Sequence, residues 1–128
     1  MRKLRKLPEA ELEIMKAVWA SGSEEITTPV LTAAMSNEKQ WTQQTVLTLL
    51  RRLEGRGFLL SSKTGKERVF TTVVQEDEYV RFESEIFLKT FHKNSMAGMV
   101  RALYDGKELK QEDIDELQRL LDEKTKHE

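Results

Sequence analysis

Thr42-Gln43-Gln44-Thr45-Val46-Leu47-Thr48-Leu49-Leu50-Arg51-Arg52-Leu53-Glu54-Gly55 is the stretch on which the fold turns. Thr42 is a good helix N-cap, because a threonine hydroxyl can accept an orphan backbone N–H of the first turn. Val46, Leu49, Leu50 and Leu53 recur at helical spacing and make one apolar face. The opposite stripe, Gln44, Thr45, Thr48, Arg51 and Arg52, meets no acid until Glu54. Downstream, Gly55 and Gly57 offer left-handed C-cap positions. Strand-like runs over residues 58–63 and 68–74 then flank Thr64-Gly65-Lys66-Glu67, which reads as a hairpin with a basic tip.

Two helices precede this stretch. The first opens at Pro8, with Glu9 and Glu11 where the helix dipole favours acids, and carries Leu12, Met15, Val18 and Trp19 on its apolar face. Gly22 and Ser23 end it. Thr28 and Pro29 read as N-cap and first residue of a second helix through about Met35, with Val30, Leu31 and Ala34 inward. A polar loop over residues 36–40 leads to Trp41. Three short helices followed by a hairpin is the winged helix-turn-helix arrangement, in which the third helix enters the DNA major groove.

Beyond residue 74 the pattern is helical again. Tyr79, Phe82, Ile86, Phe87 and Phe91 mark a long helix over residues 76–90, Met96, Met99, Val100 and Leu103 a short one, and Ile114, Leu117, Leu120 and Leu121 the last. Breaks fall at His92-Lys93-Asn94 and Asp105-Gly106-Lys107. The expected class is mostly α (α+β): a winged-helix DNA-binding domain over residues 1–74 and a helical dimerisation domain over residues 75–128. No internal repeat or low-complexity tract interrupts them.

Composition agrees with a nucleic-acid-facing half. The 128 residues carry 21 Lys+Arg and 22 Asp+Glu, yet residues 1–72 hold 12 basic and 8 acidic side chains and residues 73–128 hold 9 and 14. The first half is therefore basic and the second acidic. On the third helix, the Gln43 and Gln44 amides suit adenine, and Thr42, Thr45 and Thr48 offer hydroxyls and, towards thymine, methyl groups. Arg51 and Arg52, with Lys63, Lys66 and Arg68 on the wing, suit phosphates.

Other classes fare poorly. With no cysteine, a disulfide, a thiolate metal site and a cysteine nucleophile are all excluded, and the chain reads as cytoplasmic. No stretch between charged residues approaches the ~18–20 apolar residues of a membrane span, so no membrane insertion is expected. Arg2, Lys3, Arg5 and Lys6 open the chain, but Glu9, Glu11 and Glu13 follow where a signal peptide needs apolar residues. His92 and His127 stand in unrelated contexts, so no catalytic constellation is expected and the chain does not read as an enzyme. Glu112, Asp113, Asp115 and Glu116 crowd a first helical turn, where the dipole explains them without a metal. Neither a metal nor a cofactor is expected.

Helices totalling some fifty residues bury too little surface to stand alone, so a second copy of the chain is the natural source of core. The apolar residues from Tyr79 to Leu121 are then a homodimer interface, placing two recognition helices on a two-fold operator. Two rival readings are a winged-helix protein-interaction module and a regulator gated by a small ligand among Phe82, Phe91 and Met99.

Glu11-Leu12-Glu13-Ile14-Met15-Lys16-Ala17-Val18-Trp19, then Trp41-Thr42, Thr45-Val46, Thr48, Leu50, Arg52, Leu53 and Gly57, resemble the penicillinase-repressor family of BlaI, MecI and CopY types. Gly65-Lys66 and Val69-Phe70-Thr71 look like that family's wing, and residues 76–84 like the start of its dimerisation region. The resemblance implies a homodimeric bacterial transcriptional repressor on a palindromic operator, with Gln44, Thr45, Thr48 and Arg52 at positions that reach DNA. Some members answer antibiotics through a membrane sensor protease and cleavage of an Asn-Phe bond. Ala102-Leu103 stands in place of that pair and is the candidate proteolytic site. The copper-responsive branch ends in a cysteine hook, which this cysteine-free chain lacks. Phe70 and Thr72 replace the usual wing tyrosine and proline.

Overall fold

The computed structural model describes residues 3–126; Arg2 and His127 lie outside them. In chain order the elements are α1 (Glu9–Ser21), β1 (Glu25–Thr27), α2 (Thr28–Met35), α3 (Gln43–Gly55), β2 (Leu59–Thr64), β3 (Glu67–Thr72), α4 (Glu76–His92), α5 (Met96–Asp105) and α6 (Gln111–Lys126). Pro8 caps α1 with extended backbone, and Gly22 closes it in the left-handed conformation. The cap of α2 is Thr27, one residue earlier than the expected Thr28: its side chain accepts from the Val30 N–H, and Pro29 falls within the first turn.

The wing is a three-stranded antiparallel sheet in the order β1-β3-β2, rather than a lone hairpin. The added strand pairs Glu25, Ile26 and Thr27 with Thr71, Phe70 and Val69. It places Ile26 in the core and makes β3 the central strand, with β1 and β2 as the edges. Between β2 and β3 the turn is Gly65-Lys66, with Gly65 at φ 66°, a conformation that favours glycine in a two-residue hairpin loop. Gly57 at φ 84° turns the chain out of α3, whereas Gly55 is the last residue of the helix and takes no left-handed role.

The chain divides into two compact units, Met1–Glu83 and Ser84–Glu128, with the division inside α4. In the first unit one core gathers Ile14, Met15 and Val18 from α1, Leu31 and Met35 from α2, and Val46, Leu49, Leu50 and Leu53 from α3. Ile26, Phe58, Leu59, Phe70 and Val74 close it from the sheet side. The expected α1 face packs on this core and is widened by Ile14, whereas the α2 face is rotated. In α1, Ile14 is buried while Leu12 and Trp19 are half-buried, and in α2 Met35 is buried while Val30 and Ala34 are exposed.

Tyr79, expected at a dimer interface, is instead a core residue of the winged unit. Its ring stands 5.5 Å from Phe58, 5.9 Å from Trp19 and 5.8 Å from Phe82. Its hydroxyl accepts the Leu7 N–H at 2.8 Å, and the Trp19 indole N–H donates to the Val74 carbonyl at 3.0 Å. Phe82 packs on the same core. The winged unit thus recruits the first turns of α4, because the mouth between α1 and Phe58 needs an aromatic lid with a polar end.

The second unit has a different character. Among its described residues none is buried, and Phe91, Leu121, Tyr104 and Met96 are 69%, 60%, 60% and 57% exposed. On α6, Ile114, Leu117 and Leu121 form an i, i+3, i+7 stripe, and on α5 Met96, Met99, Val100 and Leu103 do the same.

Burial, ahead of the neighbouring Glu83 carboxylate, pushes the Tyr79 phenol up to about 12. Between pH 10 and 12 the unfolded chain releases a phenolic proton that the folded chain keeps. The stability Tyr79 contributes is therefore full below pH 10 and is lost as the pH rises through 12. Tyr79→Phe removes this alkaline descent and lowers stability at neutral pH by about 1–2 kcal/mol, since the buried Leu7 N–H loses its acceptor. Thermal melts of both proteins at neutral and alkaline pH check the two effects.

Candidate nucleic-acid interface

The exposed face of α3 begins at its cap. The Thr42 hydroxyl accepts the Thr45 N–H at 3.2 Å and lies 3.2 Å from the Thr45 hydroxyl. One turn on, the Thr48 hydroxyl donates to the Gln44 carbonyl at 2.9 Å. Its proton is thereby committed within the helix, while its oxygen can still accept and its methyl group can still pack. Thr42, Gln43, Gln44, Thr45, Arg51 and Arg52 are exposed and Thr48 is half-buried.

Val46, Leu50 and Leu53 on the other side of α3 are fully buried and Leu49 nearly so. A helix gripped along one face cannot rotate, so the polar stripe is presented in one orientation. Gln44, Leu47, Thr48, Arg51 and Arg52 together line a shallow concavity on this stripe. Leu47 is the member that sequence reasoning misses. Its spacing of i+3 from Gln44 is the available signal, outweighed by its apolar type.

The far end of α3 is fixed by charge. Glu11 of α1 is 2% exposed, and the Arg56 guanidinium meets it with two bonds, Nε to Oε1 at 2.7 Å and Nη2 to Oε2 at 3.3 Å. The Glu11 hydrogen bond holds the Arg56 guanidinium above its ordinary range. Glu54 performs a parallel task towards the wing: its Oε2 accepts the Ser61 N–H at 3.1 Å and the Ser61 hydroxyl at 2.7 Å. Arg68 in turn donates to the Ser61 hydroxyl at 2.8 Å. Glu54, the acid that ends the cation-rich stripe, therefore ties α3 to β2.

Lys63, Lys66 and Arg68 are all exposed on the wing. Lys63 and Arg68 are direct cross-strand partners in the β2–β3 register, which sets two like charges side by side. Such a pair is unfavourable by itself and becomes favourable when an anion approaches. Arg51, Arg52, Lys63 and Lys66 have no acidic partner among the described residues.

The expected dimerisation residues separate into two groups. Tyr79 and Phe82 serve the winged core. Phe87, Phe91, Met96, Leu103, Leu117 and Leu121 are exposed, and Ile86, Met99, Val100 and Ile114 are half-buried. Ala102 and Leu103 are exposed near the C-terminal end of α5. Among the described residues no cluster of His, Asp and Glu is arranged to hold a metal ion, and no helix is long and apolar enough to cross a membrane.

A family model described as penicillinase repressor matches residues 7–123. The penicillinase repressor of Bacillus licheniformis is 32% identical over 123 residues, covering 96% of this chain and 94% of the relative. The methicillin resistance regulatory protein MecI of Staphylococcus aureus (strain N315) is 25% identical over 122 residues, covering 95% and 98%. Among solved structures, the monomeric form of Bacillus licheniformis BlaI in complex with the blaP half-operator is similar at a TM-score of 0.50 and 34% identity. That match covers 62% of this chain and 94% of the other.

The cap geometry generates a test independent of any ligand. Thr42→Ala removes the acceptor for the Thr45 N–H and is expected to cost about 1 kcal/mol of stability. Thr42→Ser, which keeps the hydroxyl, should restore most of it in urea unfolding of the full chain.

Proposed function

The chain belongs to the penicillinase-repressor family, and we propose that it represses transcription as a homodimer, each protomer laying α3 in the major groove of one half of a palindromic operator. The family function, a DNA-binding transcriptional repressor, comes with membership. The observation that carries the finer reading is the acid-free stripe Gln44-Thr48-Arg51-Arg52 on a helix immobilised along its other face. The BlaI half-operator complex supports it by likeness over 62% of the chain.

In this reading roles divide by chemistry. Gln43, Gln44, Thr45 and Thr48 meet base edges, where an amide can pair with adenine and a threonine methyl can pack on thymine. Thr42 holds the first turn in place. Arg51 and Arg52 meet phosphates at the groove wall, and Lys63, Lys66 and Arg68 meet the backbone next to it, where an anion relieves the Lys63/Arg68 juxtaposition.

The second copy is supported by the exposed stripes of α5 and α6 and by Phe87 and Phe91. Contiguous apolar surface of this kind marks an interaction site, and a two-fold operator calls for an identical partner. A membrane sensor protease cutting Ala102-Leu103 would sever α6 from α4 and so act on this assembly.

Selection from a random duplex pool should return a palindrome whose half-sites are about 10 base pairs apart, or a multiple of that, centre to centre. Gln44→Ala should weaken binding to that selected sequence by about 1–3 kcal/mol while leaving random DNA nearly unaffected. Equal losses on both would remove Gln44 from base reading.

The dimer reading is checked by sedimentation. The full chain should be dimeric at micromolar concentration, and a chain ending at Glu83 should be folded and monomeric, binding a single half-site weakly. A chain ending at Val74 should be far less stable, because it lacks the Tyr79 ring, whose loss from a core typically costs about 3–5 kcal/mol. A monomeric full-length protein would refute the homodimer.

A further inference from the structure

Ahead of α1 the chain runs as an arm that is docked on the winged unit. Leu4 packs against the core, Leu7 is buried, and the Leu7 N–H is bonded to Tyr79. Anchored by these residues, the arm exposes Lys3 and Arg5, neither of which has an acidic partner among the described residues. Lys3 and Arg5 line a concavity of about 300 Å³ together with Gly55, Arg56 and Phe58, at the C-terminal end of α3. That is room for a phosphate group and several waters of about 30 Å³ each.

Arg56 is already oriented there. Two of the five guanidinium donors are engaged by Glu11, which fixes the plane of the group and leaves the others for a ligand. With the Glu11 charge included, the concavity still carries net positive charge. We propose that Lys3, Arg5 and Arg56 form a cradle for one oxyanion, a backbone phosphate of the operator duplex, which the arm grips in addition to the contacts of α3 and the wing.

The duplex is the favoured source because the cradle sits at the end of the helix that carries the cation stripe, its Arg56 four residues beyond Arg52. Gln44 and Arg56 are separated by about 18 Å of helix rise. With Gln44 at the base edges, Arg56 is then too far along the helix to share that base step and is left to meet the backbone. The inference rests on the operator-binding reading above.

The test uses the full chain and Lys3→Ala/Arg5→Ala, a change confined to exposed side chains, with unchanged thermal unfolding as the check on folding. Binding to the selected operator and to a random duplex is measured as a function of salt. The double variant should lose affinity for both by the same factor, and its slope of log affinity against log salt should fall by about 1, the value for one lost phosphate contact. A wild-type slope overturns the grip on a duplex phosphate while leaving operator binding intact; absence of operator binding in the unaltered chain overturns both readings. Inorganic phosphate, titrated in parallel with the Gly55 and Phe58 amides as reporters, separates the sources. Saturable binding at those amides together with an unchanged DNA slope would assign the cradle to a free anion and refute the duplex.

Discussion

The pairing of Glu11 with Arg56 is the constraint on which the rest of the winged unit depends. A carboxylate as deeply buried as Glu11 is tolerable only with a close, hydrogen-bonded counter-charge, and the bidentate guanidinium supplies it. The pair joins the first turn of α1 to the residue that caps α3. Thr42 secures the opposite end, and Val46, Leu50 and Leu53 set the rotation between them. A helix held at both ends and along one side has little conformational freedom left to lose when its exposed stripe meets a ligand, and such preorganisation spares the entropy of ordering.

The wing is held to that helix by a second polar connection of opposite design. Glu54 is half-buried and accepts two bonds from Ser61, and Arg68 reaches the same serine from β3. One acid thus orients two strands, and the cation it indirectly positions is one of the pair placed side by side with Lys63. The placement of Arg68 follows from this bond as much as from the hairpin register, so the wing and α3 present their charges as one surface.

What was legible in the sequence was whatever is encoded locally. The α3 face was readable because four apolar residues repeat at 3.6-residue spacing behind a good cap, and the hairpin because glycine sits in its turn. β1 was not readable, since three residues are too few to show alternation and its partner β3 lies far along the chain. Glu11 looked like an acid complementing a helix dipole; its burial is decided by Arg56, 45 positions away. Tyr79 showed the correct apolar period, but periodicity names a face without naming the core it enters. The Leu7 N–H that claims its hydroxyl lies 72 positions upstream. On the candidate interface the cations were visible as residue types, while Leu47 and the Arg68–Ser61 bond became visible only with the geometry.

The two units differ in where their stability can come from, and this bears on control. The winged unit contains a closed core with Tyr79 as its lid, so it has the makings of an independently folding domain. The second unit, with no buried residue among those described, has no comparable core of its own. For the proposed homodimer, folding of that unit and pairing of protomers are then one equilibrium that depends on protomer concentration. Because two half-sites bound together by linked modules gain a large effective concentration over one, operator occupancy inherits that dependence and falls more steeply than protein level. In the proposed homodimer, any event that weakens the apolar stripes of α5 and α6 therefore lowers operator occupancy without touching a single DNA-facing residue.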